Sequence, residues 1–150
     1  MENVKQSTVL QIYKRQKNIV NKYLKDGLTT NLELSELGRI LIGKEFRGVF
    51  FKDTIPELQP YESCILSVKT SKDNSITHWV GLIRDKHGMF IFYDPYGNTY
   101  EYYGFPKFGR LVRNSKSNSE QKITEENCGI ITLAALLTYY RGGGMVFKYI

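Results

Sequence analysis

Residues 129–140 constrain this chain most. Ile130, Ile131, Leu133, Ala134, Leu136 and Leu137 are apolar nearly all round a helix of 3.6 residues per turn. A helix of that kind offers no face to water, so the rest of the 150 residues must enclose it. That length suits one domain, residues 1–150, with one core. Eight Phe, eleven Tyr and one Trp supply the apolar area for it and exclude disorder for the whole. No apolar run approaches the roughly 20 residues that span a bilayer, and the first eleven residues lack a secretion signal, so neither a membrane nor a secreted location is expected.

The remaining segments follow from period and punctuation. Ser7–Lys25 has a helical pattern, with Val9, Ile12, Tyr13, Ile19, Val20, Tyr23 and Leu24 on one arc and Lys14, Arg15, Lys17, Lys22 and Lys25 opposite. Residues 1–27 are thus expected to form a basic amphipathic helix stopped at Asp26-Gly27. Asn31 is expected to cap a second helix reaching Ile42, although Gly38 weakens its interior. Phe46–Phe51 is expected to be a short extended segment; Ser63–Val68, His78–Ile83 and Met89–Tyr93 are predicted strands, and Gly109–Val112 a further one. Asp85–Gly88 joins His78–Ile83 to Met89–Tyr93 as a hairpin. Residues 141–150 form a tail after the glycine stop at Arg141–Gly144. Helices, an antiparallel meander and one buried helix predict an α+β fold with a central, mostly antiparallel sheet.

Charge is unevenly spread over a chain of net charge +6. Residues 1–26 hold six bases and two acids, and residues 107–122 hold five bases, among them Lys107, Arg110 and Arg113, and one acid. Two such segments fit a polyanion such as DNA, or are solvated faces that keep the protein soluble.

Three places carry potential chemistry. His78 opens one strand and Asp94 closes its partner; the hairpin brings them level, so the carboxylate can fix the imidazole tautomer. Cys128-Gly129 opens the buried helix, where unpaired N–H groups and positive potential favour a thiolate. Gly129 allows a substrate backbone close approach, and the Cys128 N–H is placed to meet an oxyanion. Gln121, seven residues before Cys128, is either a neutral donor able to meet the same oxyanion or a solvated loop glutamine. Trp79, next to His78, is either a cleft residue shielding the pair or a core aromatic. Cys64 is expected in the core and His87 in an exposed turn. No metal site is expected, because two histidines and two cysteines lack ligand spacing.

In order and spacing, His78-Trp79, Asp94-Pro95-Tyr96-Gly97, Gln121 and Cys128-Gly129 resemble the cysteine proteases of the adenovirus maturation type (adenain), which are related to the proteases of SUMO and other ubiquitin-like proteins. The step from Gln121 to Cys128 matches adenain better than the SUMO proteases, whereas Asp94 stands where adenain has a glutamate. Phe46–Phe50, with Asp53 and Pro56, looks like the corresponding segment of adenain-like proteases from large DNA viruses, virophages and Polinton-type elements. The resemblance covers about residues 32–140.

It implies a papain-like cysteine protease core with a catalytic set of His78, Asp94, Gln121 and Cys128. It also implies cleavage of viral capsid or core precursors at small-residue, glycine-containing sites, inside a virion or infected cell. No cofactor is required by the sequence; the resemblance allows docking on DNA, and DNA as an activator, through Lys14, Arg15, Lys17, Lys22, Lys25, Lys107, Arg110 and Arg113. Two other functions compete: a deconjugase of ubiquitin-like proteins, and a catalytically inactive basic protein that binds DNA or capsid. Arg141–Gly144 is a conceivable self-cleavage site on the same resemblance.

Overall fold

Every residue from Cys128 to Tyr139 is buried, and the architecture is arranged around that fact. The computed structural model describes residues 5–24, 30–73, 78–109, 112–114 and 127–150. In chain order these form α1 (Gln6–Leu24), α2 (Asn31–Leu41), β1 (Phe46–Phe50), β2 (Ser63–Ser67), β3 (Trp79–Arg84), β4 (Phe90–Tyr93), a 3-10 turn (Glu101–Tyr103), β5 (Val112–Asn114), α3 (Cys128–Gly142) and a second 3-10 turn (Gly144–Lys148). The fold is α+β.

The five strands lie in the order β1-β2-β3-β4-β5. The pairs β2–β3 and β3–β4 are antiparallel, but β1 runs parallel to β2 and β5 parallel to β4. The sheet is therefore mixed, not mostly antiparallel. Apolar runs do not encode strand direction; connection length does, and parallel neighbours need a crossover of a dozen or more residues. Residues 51–62 and 94–111 supply such crossovers, whereas 85–89 is a tight hairpin.

Both faces of the sheet are covered. Ile65, Trp79, Ile83, Ile91 and Tyr93 pack with the helices, while Cys64, Leu66, Val80, Leu82 and Phe92 pack with Leu58, Phe105 and Phe108. This two-sided burial explains why the strands read as continuous apolar runs instead of alternating ones.

Several local expectations shift. The cap of α2 is Thr30, not Asn31: Thr30 Oγ1 accepts from the Glu33 N–H, and Glu33 returns a bond to the Thr30 N–H. Gly38 is required by packing, because a Cβ there would lie 2.3 Å from the Phe46 ring. The buried line of α1 is Val9, Tyr13, Gln16 and Val20, so Gln16 joins the core and Tyr23 stays 65% exposed. Lys17 also leaves the outer face; it is half-buried, with Nζ 5.8 Å from the Tyr13 ring centre. The last described strand is Val112–Asn114; of the expected Gly109–Val112, Gly109 is outside the strand, Val112 opens it, and residues 110–111 lie outside the described residues. Helix α3 starts at Cys128 and takes in Arg141 and Gly142 before Gly143 stops it at φ +81°. The last residues are no loose tail, since Val146, Phe147 and Ile150 are buried against the core. Among the described residues no helix is long and apolar enough to cross a membrane.

Candidate active site

His78 immediately precedes β3, and Asp94 immediately follows β4. Gly81 pairs with Tyr93, so the register continues to put Val80, not His78, opposite Asp94. The two residues are diagonal rather than level. An offset of two keeps both on the same face of the sheet, and a diagonal pair lies within reach of a long side chain. His78 Nε2 and Asp94 Oδ1 are accordingly 2.5 Å apart, with side-chain exposures of 10% and 0%.

A buried carboxylate is costly unless its oxygens are hydrogen-bonded. Asp94 also accepts from the Tyr96 N–H at Oδ1 (3.1 Å), and from the Asn98 N–H (3.1 Å) and Tyr103 O–H (2.6 Å) at Oδ2. Burial pushes its carboxyl up, but the bonds from His78 and Tyr103 prevail, and it lies below the ordinary 3.8. For His78, burial pushes down; the hydrogen bonds with Asp94 and then Cys128 reverse this and hold the imidazole up at about 9. Nε2 bonds Asp94, and Nδ1 is closed to solvent.

Cys128 reaches His78 because α3 is tied to the start of β3. Thr132, one turn after Cys128 on the same side of the helix, donates its hydroxyl to the Trp79 carbonyl at 3.1 Å. Position 128 is thereby set beside position 78, although the two are 50 residues apart. Cys128 and Gly129 are both fully enclosed, with 0% of Cys128 exposed. Trp79 is a core residue, 7% exposed and packed in the cluster that contains α3. Tyr96, 41% exposed, covers the imidazole with its ring centre 4.6 Å away.

Gln121, Lys25 and Arg110 lie outside the described residues, as does the side chain of Arg113. Lys14, Arg15 and Lys22 are exposed along the outer face of α1. Lys107 is also exposed, but it sits between Phe105 and Phe108 on the opposite face of the sheet, so it does not extend the α1 stripe. Cys64 is buried in β2, where enclosure pushes its thiol up. His87 is exposed in the β3–β4 turn, and Arg141–Gly144 is at the end of α3 remote from Cys128, about 20 Å away at 1.5 Å per residue. A cleft of about 550 Å³ between residues 55–58 and 106–109 lies at the hairpin end of β3 and β4, away from His78. No group of three potential metal-ligating side chains occurs among the described residues.

The bonds that Tyr96, Asn98 and Tyr103 give to Asp94 are not among the sequence expectations. The signal for the first two was present in Asp94-Pro95-Tyr96-Gly97-Asn98, because an aspartate opening a turn commonly accepts from backbone N–H groups that follow it. No family model and no curated protein matches this chain, so its chemistry rests on these side chains.

The pair makes stability depend on pH with a defined sign. The contribution from the raised His78 is complete below its ordinary 6.5 and is lost as pH rises through about 9; that from the lowered Asp94 is complete above 3.8 and is lost in stronger acid. Asp94→Asn is therefore expected to be most destabilising, relative to wild type, between pH 3.8 and 6.5, and to bring the His78 titration down from about 9. NMR titration of the His78 ring checks this; an unshifted curve would contradict the pairing.

Proposed function

We propose that this chain is a cysteine endopeptidase of the adenovirus maturation type, with a papain-like core, that trims viral capsid and core precursors at glycine-containing sites. One observation carries the reading: the His78 imidazole bonds a buried carboxylate through one nitrogen and interacts with a thiol at a helix start. That is the relation a thiol nucleophile needs to its acid–base partner and to the group that orients the partner.

An imidazole held up at about 9 is charged at neutral pH and so can accompany a Cys128 thiolate. In the proposed cycle the thiolate attacks the scissile carbonyl, forming an S–C bond and an oxyanion. The Cys128 N–H at the first turn of α3, together with Gln121, would receive that oxyanion. The imidazolium gives its proton to the leaving amine as the C–N bond breaks. Neutral His78 then takes a proton from water, whose oxygen attacks the acyl-enzyme, and the thiolate leaves. Asp94 keeps the ring in one orientation throughout.

The enclosure of Cys128 favours one rival, an inactive protein on the same fold, since a buried cysteine is usually an inert small hydrophobe. Hydrolysis of Gly-Gly peptides and of virion precursors, followed by mass spectrometry, separates the readings. Wild-type cleavage and a loss on the order of 10⁴-fold or more in Cys128→Ala are expected. No cleavage, or equal cleavage by both, would overturn the proposal; cleavage of isopeptide conjugates alone would give the site to a deconjugase. Self-cleavage within one molecule at Arg141–Gly144 is not part of the proposal, because that segment is at the far end of α3.

The α1 stripe of Lys14, Arg15 and Lys22 supports a second element, docking on packaged DNA. Affinity for duplex DNA is expected to fall steeply with salt, and replacing the three bases with alanine to lower the slope by about one per charge removed. Anisotropy titrations showing salt-independent binding, or no effect of the triple variant, would remove DNA from the account.

A further inference from the structure

The Tyr100–Tyr103 run plays no part in the cycle above, yet its last member touches the site. We propose that Tyr103 is a positioning residue: its phenol locks the Asp94 carboxylate so that Oδ1 stays aimed at Nε2 of His78. The kinetic consequence rests on the protease reading; the structural one rests on hydrogen bonds alone.

The direction of the bonds is fixed by chemistry. The Asn98 amide nitrogen can only donate, and it donates to the Tyr103 oxygen at 3.2 Å. The Tyr103 proton is therefore committed to Asp94 Oδ2 at 2.6 Å. Each carboxylate oxygen then carries two donors: His78 and the Tyr96 N–H on Oδ1, Tyr103 and the Asn98 N–H on Oδ2. The Tyr96 and Asn98 amides belong to the turn that Asp94 itself opens, so they hold the carboxylate only to its own loop. Tyr103 comes from the following 3-10 turn and ties the carboxylate to a separate element.

That element is itself anchored. Lys52, from the loop after β1, donates Nζ to the Tyr103 carbonyl at 2.9 Å. The Tyr103 ring packs near Phe105 and lies 5.8 Å from the His78 ring, centre to centre. Burial, then the bond to Asp94, pushes the phenol up, so it remains a donor wherever the enzyme works. The groups facing the pair are thus Cys128 from α3, Tyr96 and Asn98 from the turn, and Tyr103, with Lys52 behind Tyr103.

Tyr103→Phe removes one oxygen and tests the idea. Peptide hydrolysis is expected to show kcat lowered about tenfold, the lower end of what a hydrogen bond to a charged group is worth, with KM changed by less than about twofold. In NMR spectra of the same variant, the His78 Nε2–H proton is expected to exchange faster and broaden. Lys52→Met releases the Tyr103 carbonyl without altering the phenol and is expected to broaden the same signal. A wild-type Nε2–H signal in both variants, or wild-type kcat in Tyr103→Phe, overturns the inference while leaving the protease reading standing. An inactive wild type defeats the protease reading and the kinetic role together, whereas the Nε2–H comparison still decides whether Tyr103 holds the pair.

Discussion

Helix α3 lies against the middle of the sheet because residue 81 has no side chain. A Cβ at Gly81 would come within 3.2 Å of Leu136 and 3.4 Å of Thr132, both on the line that begins at Cys128. Contacts that close leave a methyl group little room, so the glycine sets how near the helix can come. The Thr132 hydroxyl then fixes its position along β3 by bonding the Trp79 carbonyl. Everything at the site depends on this docking. Were α3 lifted away from β3, the Cys128 sulfur would leave the imidazole, and the apolar sides of the helix would lose their cover.

Electrostatics builds on that packing. Asp94 is a carboxylate with a fully enclosed side chain, a state tolerated only with a charge partner and filled lone pairs. His78 supplies the charge, and two backbone amides and a phenol fill the remaining positions. All of these donors belong to the protein itself, so the carboxylate is held without any bound ligand. The arrangement explains why a pair that burial alone would neutralise instead keeps the His78 imidazole up at about 9.

What the sequence reveals differs by interaction range. The hairpin between β3 and β4 is legible because its turn residues are adjacent, and the pairing of His78 with Asp94 survives a register two residues off because the side-chain period in a strand is two. The buried character of α3 is legible because it needs no partner to be recognised. The parallel pairing of β1 and β5 is not, since it depends on crossovers that run outside the strands. Thr30 was hidden beside a second plausible cap, Asn31, although Glu33 three residues on completes its capping box. Tyr103 was illegible: nothing local marks a tyrosine nine positions after Asp94 as its hydrogen-bond donor until the 3-10 turn folds the chain back.

The central claim is that one of two buried thiols is a nucleophile. Both Cys64 and Cys128 have 0% exposure, so exposure does not distinguish them; the imidazole beside Cys128 does. The direct measurement is the rate of iodoacetamide alkylation at each cysteine, mapped by mass spectrometry from pH 5 to 9. Cys128 is expected to react on the order of a hundredfold faster than Cys64, with a rate that persists below neutrality. Equally slow modification of the two sites, falling together in acid, would contradict the account.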